Sequence, residues 1–246
     1  MANILYKSIT VNAFNKTKQY FSQYLTTSNL RKNIMNKDLI VSAEFKGHPI
    51  TVGEQVEFAY NQRHLANNLE LMETMLKRHN KIYSFRLGLN MPQGVELNRS
   101  PKEIATKFLS VFCRKMARNK VDSEYIMKME KEKSENPHFH IQMFVNGSKI
   151  QNHKKMVEDG ERLLAAQLGL AAENNGLLDF NNQGKKAKKK NGIMIRRNSD
   201  NYKQQFDQVF KQASYVAKQT PTDQINSKER KVFYSRFRNG KSRSSK

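Results

Sequence analysis

The sequence predicts an α+β fold, a central antiparallel sheet with helices packed on it. Three observations carry that expectation. Two alternating segments, SEYIMKMEKEK (123–133) and PHFHIQMFVNG (137–147), are joined by the polar turn around Ser134, Glu135 and Asn136 and read as a β-hairpin. Three other segments repeat apolar residues at intervals of three and four, the period of an amphipathic helix. A further apolar run, KIYSFRLGLNMP (81–92), ends at a proline between two of those helices and reads as a strand. Strand, helix, hairpin, helix and helix in this order fit a layered arrangement with helices on one face of the sheet.

Taken along the chain, LIVSAEF (39–45) is a candidate strand, followed by the turn-like GHPITVG. A helix is expected from about Val56 to His79, with Phe58, Leu65, Leu69, Met72, Met75 and Leu76 on its apolar stripe. The strand at 81–92 follows. The clearest helix start lies in NRSPKEIATKFLSVFCRKMARN: Ser100 is the N-cap, Pro101 takes the first helical position, and Glu103 completes a capping box. Beyond the hairpin, residues 153–169 predict a helix interrupted or weakened at Gly160. LLDFNNQGKKAKKKNGIMIRRNSDN (177–201) begins apolar, turns basic and low in complexity, and is expected to be a mobile loop. A helix is predicted from about Asp200 to Lys218, and the basic tail beyond it is expected to be partly disordered. The domain reading is therefore an N-terminal extension over 1–60, a main domain over 61–220 and a tail over 221–246.

Composition bounds the partners. The chain has 246 residues, long enough for one sizeable core. It carries 44 Lys and Arg against 22 Asp and Glu, a net charge of +22, with a sequence pI near 10.0. Such a surplus favours a polyanionic partner, because surface Lys and Arg release counterions from phosphate backbones. The single cysteine, Cys113, excludes an intramolecular disulfide and a Cys-based zinc cluster within the chain. It sits in FLSVFCRKM and reads as a small buried hydrophobe. No run approaches the ~20 apolar residues of a membrane span. The N-terminus lacks the apolar run and cleavage site of a secretory signal. A protein of a reducing, cytoplasmic compartment without membrane partners is expected.

Chemistry concentrates in ENPHFHIQMFV (135–145). Strand alternation puts His138, His140 and Gln142 on one face and Phe139, Ile141, Met143 and Val145 on the other. Two imidazoles on a strand face are either a wetted surface or half of a metal site. Opposite residues of an antiparallel pair project from the same face, so pairing Glu130 with His138 adds a carboxylate to the two imidazoles. That set suits a divalent cation with open coordination positions: the imidazoles lean toward Mn²⁺, and abundance favours Mg²⁺. Glu132 has the same parity and can take the place of Glu130. Gln142, on the histidine face, reads first as a surface glutamine.

A second feature lies in QASYVAKQ. Continuing the last helix at about 100° per residue, with Tyr202 at zero, gathers Phe206, Val209, Phe210, Ala213, Val216 and Ala217 on one face. Tyr215 falls at about 220° and Lys218 at about 160°, both on the polar side and three residues apart. Tyr215 is thus either a stray surface tyrosine or one presented to a site. A presented phenol beside a lysine is a plausible nucleophile, since a nearby cation lowers the cost of the phenolate.

Glu130, His138 and His140 followed by Tyr215 and Lys218 make the joint pattern ExxxxxxxHxH then YxxK. It resembles the HUH superfamily of single-strand endonucleases, which initiate rolling-circle replication. With LMETMLKRHNKIYSFRLGLN, SYVAKQ and VFYSRFR, about residues 66–240 look like the replication proteins of filamentous phages (inovirus type) and their prophage relatives. The chain departs from that pattern at Arg86-Leu87-Gly88-Leu89, where the resemblance leads one to expect Arg-x-Asp-Leu, and residues 1–60 lie outside it.

The resemblance implies an HUH/Rep-like variant of the ferredoxin-like fold and a Mg²⁺ or Mn²⁺ ion on Glu130, His138 and His140. It implies attack by Tyr215, assisted by Lys218, on single-stranded or origin DNA, leaving a 5′-phosphotyrosine and a free 3′-hydroxyl. Bacterial host replication machinery would be the partner. Lys185, Lys186, Lys188, Lys189, Lys190, Arg196 and Arg197 would contact phosphates, or the lysine run is a solvated tether. The alternatives are a related transposase acting on hairpin ends and a non-catalytic basic DNA-binding module.

Overall fold

The computed structural model describes residues 39–52, 59–131, 136–151, 153–171, 176–179, 192–219 and 230–235. In chain order these residues form β1 (Leu39–Ile40), β2 (Glu44–Phe45), β3 (His48–Pro49), β4 (Ala59–Asn61), α1 (Gln62–Arg78), β5 (Lys81–Leu89) and α2 (Pro101–Arg118). Then come β6 (Ser123–Glu130), β7 (His138–Asn146), α3 (Lys154–Leu168), β8 (Leu178–Asp179), β9 (Ile193–Arg196) and α4 (Tyr202–Ser214). A 3-10 turn, Tyr215–Ala217, leads into β10 (Lys218–Gln219), and β11 (Val232–Tyr234) follows. The fold is α+β, as expected. Its main sheet has six strands in the order β11-β6-β7-β5-β8, with β9 pairing a second stretch of β5. A smaller sheet runs β1-β4-β10, and β2 and β3 form a separate hairpin. All pairs are antiparallel.

Helices cover both faces of the main sheet, not one. Tyr83, Phe85, Leu87 and Leu89 of β5, Met127 and Met129 of β6, and Phe139, Ile141 and Met143 of β7 share a core with Phe108 and Phe112 of α2 and Leu164 of α3. On the opposite face Ile82, Ile126 and Phe144 share a second core with Leu69 and Met72 of α1 and Phe206 and Phe210 of α4. The reason lies in the central strands. Ile126 of β6 and Phe144 of β7 turn apolar side chains to the face opposite Met127 and Met143, and apolar side chains on both sides of a strand must be covered twice.

Several local expectations change. α1 begins at Gln62, where Asn61 caps it by accepting from the His64 amide at 3.1 Å, and the preceding residues form β4. α2 starts as read, with Ser100 and Glu103 bonded in a reciprocal capping box. α3 runs uninterrupted through Gly160, which is buried against the sheet side of α2. A Cβ there would come within 3.0 Å of the Leu178 side chain and 3.4 Å of Phe112, so the glycine permits close packing without breaking the helix. Both ends of the expected loop 177–201 are strands, β8 and β9, paired to β5 through backbone bonds that a composition reading does not register. In the expected tail, β11 pairs with β6 and buries Val232 and Phe233. Part of the expected extension likewise belongs to the fold: Ile50 is buried in the second core and β4 pairs with β10. Cys113 is partly buried against the first core.

Candidate metal and nucleophile site

The hairpin sets the first half of the site. β6 and β7 pair with Glu130 opposite His138 and Lys128 opposite His140, so alternation puts these four side chains on one face. Glu130 Oε2 lies 3.0 Å from His140 Nε2 and 3.6 Å from His138 Nε2, and the two imidazoles meet edge to face at 4.9 Å. One ligand atom from each of Glu130, His138 and His140 lies within 4.8 Å of the others, so the group can hold a metal ion. Glu130 is buried while the His138 side chain is 36% exposed, so the cluster is rooted in the sheet and open on one side. Glu132 lies outside the described residues.

Burial alone would raise the Glu130 carboxyl. Hydrogen bonds from His138 and His140, with the charge of Lys128, outweigh it and hold the group well below the usual carboxylate range. Its second oxygen, Oε1, is buried and accepts no well-aligned hydrogen bond, although the Lys128 ammonium stands 3.0 Å away. Two nitrogens, a buried ionised carboxylate and an open side are a donor set that suits a divalent cation.

α4 supplies the second half, and its end differs from the continuous helix expected. The α-helical turns stop at Ser214, whose buried hydroxyl donates to the Lys211 carbonyl and accepts from the Thr51 amide. The chain then tightens into the 3-10 turn and enters β10, where Lys218 pairs with Tyr60. A 3-10 turn nearly eclipses residues three apart, so Tyr215 and Lys218 remain neighbours although the α-helical wheel no longer applies. Lys218 Nζ donates to the Tyr215 hydroxyl at 3.2 Å and lies 4.4 Å from its ring centroid. The Tyr215 ring meets the His140 ring edge-on at 5.3 Å. The structure therefore brings Tyr215 and Lys218 onto the Glu130, His138 and His140 face.

Two further side chains complete the surroundings and were missed in the sequence. Arg86, on β5, lies opposite Gln142 of β7 and places its guanidinium 4.9 Å from the Tyr215 ring centroid. Desolvation lowers its pKa, opposed by the charges of Tyr215 and Glu130. Lys128 is fully buried; its ammonium reaches both Glu130 and the Lys218 carbonyl, the latter at 2.5 Å. Lys128 was findable, because it shares the parity of Glu130 and His140. Arg86 was not, because nothing in the sequence pairs β5 with β7. Gln142 is no surface glutamine: it is fully buried and donates to Ser84 Oγ at 2.8 Å, since β5 lies beside it.

The basic residues divide. Lys185, Lys186, Lys188, Lys189 and Lys190 lie outside the described residues. Arg196 is exposed on β9. Arg197 is also exposed, but its guanidinium donates to the Leu76 carbonyl at the end of α1 and to Asn80. Among the described residues, no helix is long and apolar enough to cross a membrane.

Fold and site together define an α+β protein with a carboxylate–bis-imidazole face that can hold a metal ion and a tyrosine held against it. The chain belongs to the YagK/YfjJ C-terminal domain family, whose sequence model matches residues 44–234. That match spans every element from β2 to β11, including β8, β9 and β11. No curated protein and no solved structure matches the chain.

Proposed function

We propose that the chain is a replication initiator of the HUH type, which nicks and rejoins single-stranded origin DNA through a metal-assisted attack by Tyr215. The observation that carries this reading is the meeting of Tyr215 with His140 at 5.3 Å between ring centroids. The two motifs lie far apart in sequence, and the contact puts the phenol beside the group that could hold a metal ion.

Glu130, His138 and His140 would hold a Mg²⁺ or Mn²⁺ ion, which supplies Lewis-acid polarisation of a phosphoryl oxygen. The residues of the chain account for the remainder. Lys218, 3.2 Å from the phenol oxygen, stabilises the phenolate as the proton leaves to solvent. The Tyr215 oxygen attacks phosphorus, the bond from phosphorus to the 3′ oxygen breaks, and that oxygen takes up a proton as the free 3′-hydroxyl. The 5′-phosphate stays on Tyr215. Attack by a 3′-hydroxyl reverses the step and rejoins the strand. Arg86 and Lys218 bring positive charge to 4.9 and 4.4 Å from the Tyr215 ring centroid, and would stabilise charge that develops on the phosphoryl oxygens.

The test incubates the full chain with labelled single-stranded DNA carrying candidate origins, plus Mn²⁺ or Mg²⁺, and resolves products on denaturing gels. A covalent protein–DNA adduct is expected, reduced to background in Tyr215→Phe and in His138→Ala. Binding that is equal in wild type and Tyr215→Phe, without adduct or cleavage for any cation and origin, would instead identify a non-catalytic basic DNA-binding module.

A further inference from the structure

The interior of the site contains a charge that the nicking chemistry does not use. Lys128 has no exposed surface, yet its ammonium is shared between two groups of different consequence. One is Glu130 Oε1 at 3.0 Å, on the oxygen turned away from the imidazoles. The other is the Lys218 carbonyl at 2.5 Å, on the short strand that follows the Tyr215 turn. β10 is two residues long and, among the described residues, pairs only with β4, so this side-chain contact joins the tyrosine-bearing segment directly to the ligand-bearing strand. A buried lysine is costly unless its donors find partners, and here the partners lie on the two halves of the site.

We infer that Lys128 is a positioning residue that fastens the Tyr215–Lys218 turn to the metal-ligand face and serves as the internal counter-cation of Glu130. The inference rests on reading Glu130, His138 and His140 as the metal ligands. Two consequences follow from the two contacts. The ammonium repels a divalent ion bound to the same carboxylate, so removing its charge tightens cation binding. The bond to the Lys218 carbonyl holds β10 in place, so removing the donor loosens the turn. A residue that only stabilised the fold would weaken both properties when replaced.

Two neutral variants separate these roles. Lys128→Gln keeps a donor toward Lys218, and Lys128→Met has none. Mn²⁺ affinity is measured by calorimetry on the full chain without DNA, and hydrogen exchange is followed over residues 215–219. Both variants are expected to bind Mn²⁺ at least tenfold more tightly than wild type. Amide protection over 215–219 should fall at least tenfold in Lys128→Met relative to Lys128→Gln, with β5 and β7 unchanged. Mn²⁺ binding that is unchanged or weaker in both variants, in chains whose β5 and β7 protection is native, overturns the counter-cation role. Equal protection over 215–219 in the two variants overturns the tether. Should Lys128→Met not fold, Lys128→Gln decides the counter-cation role by calorimetry. The tether is then decided by Lys128→Arg, which keeps charge and donors and should match wild-type protection within threefold; a tenfold loss overturns it. Absence of Mn²⁺ binding in wild type removes the metal reading itself and leaves the exchange comparison to judge the tether alone.

Discussion

His64 shows how burial and nearby cations act on a single residue. Burial first, then the charges of Arg63, Arg230 and Lys128, lower its pKa from 6.5 to about 4. The neutral ring is also the form that can accept at Nδ1 from the Tyr234 hydroxyl, 2.9 Å away. A folded-state pKa below the unfolded value means that the unfolded chain binds the extra proton first. The stabilising contribution of neutral His64 is therefore complete above about pH 6.5 and is lost as pH falls toward 4. Chemical denaturation of wild type at pH 7 and pH 4.5 should show a loss to which His64 contributes on the order of 2 kcal/mol. In His64→Gln the loss over the same interval should shrink by that amount. An unchanged pH slope in the variant would contradict the assignment. Glu130 has the same sign, but its lowered pKa moves the loss to more acidic solution.

Single elements show why some of the fold is legible in sequence and some is not. α2 is legible because its cap is local: Ser100, Pro101 and Glu103 satisfy the first-turn amides within four residues. The shared face of the hairpin is legible because alternation puts Glu130, His138 and His140 on one side in any register of that parity, whereas the pairing of Glu130 with His138 itself is set by the folded hairpin. β8, β9 and β11 are not legible, since two to four residues gain strand geometry only from partners distant in sequence. The end of α4 is half legible. Its periodicity persists past Ser214, but the turn is tightened by contacts to Thr51 and Tyr60 that no local pattern announces. Gly160 reverses its expected meaning for the same reason. A helical glycine suggests weakness, yet this one seats α3 on Leu178 and Phe112. Gly160→Leu raises helix propensity by about 0.8 kcal/mol and overpacks the contact by about 1–3 kcal/mol. A net destabilisation of about 0.2–2 kcal/mol in thermal or urea unfolding is expected. A gain in stability would show that the helix, and not its packing, limits this element.

At the scale of the whole molecule, the two cores are separate in space but share their strands. Phe85, Met127 and Phe139 face α2 and α3, while Ile82, Ile126 and Phe144 on the same three strands face α1 and α4. Neither layer of helices can leave without exposing the back of a strand that the other layer needs. The site inherits this arrangement, because Glu130, His138 and His140 stand on β6 and β7 while Tyr215 arrives from the end of α4. Folding of either layer alone therefore cannot assemble it. The expected behaviour is one cooperative transition. Phe108→Ala and Phe210→Ala, each truncating a fully buried ring in a different core, should each cost about 3–5 kcal/mol. Each should shift the whole transition, with far-UV circular dichroism and tyrosine fluorescence remaining coincident. Two separated transitions, of which each substitution moves only one, would mean that the sheet does not transmit stability between its faces. Tyr215 could then detach from the His140 face while the hairpin stays folded.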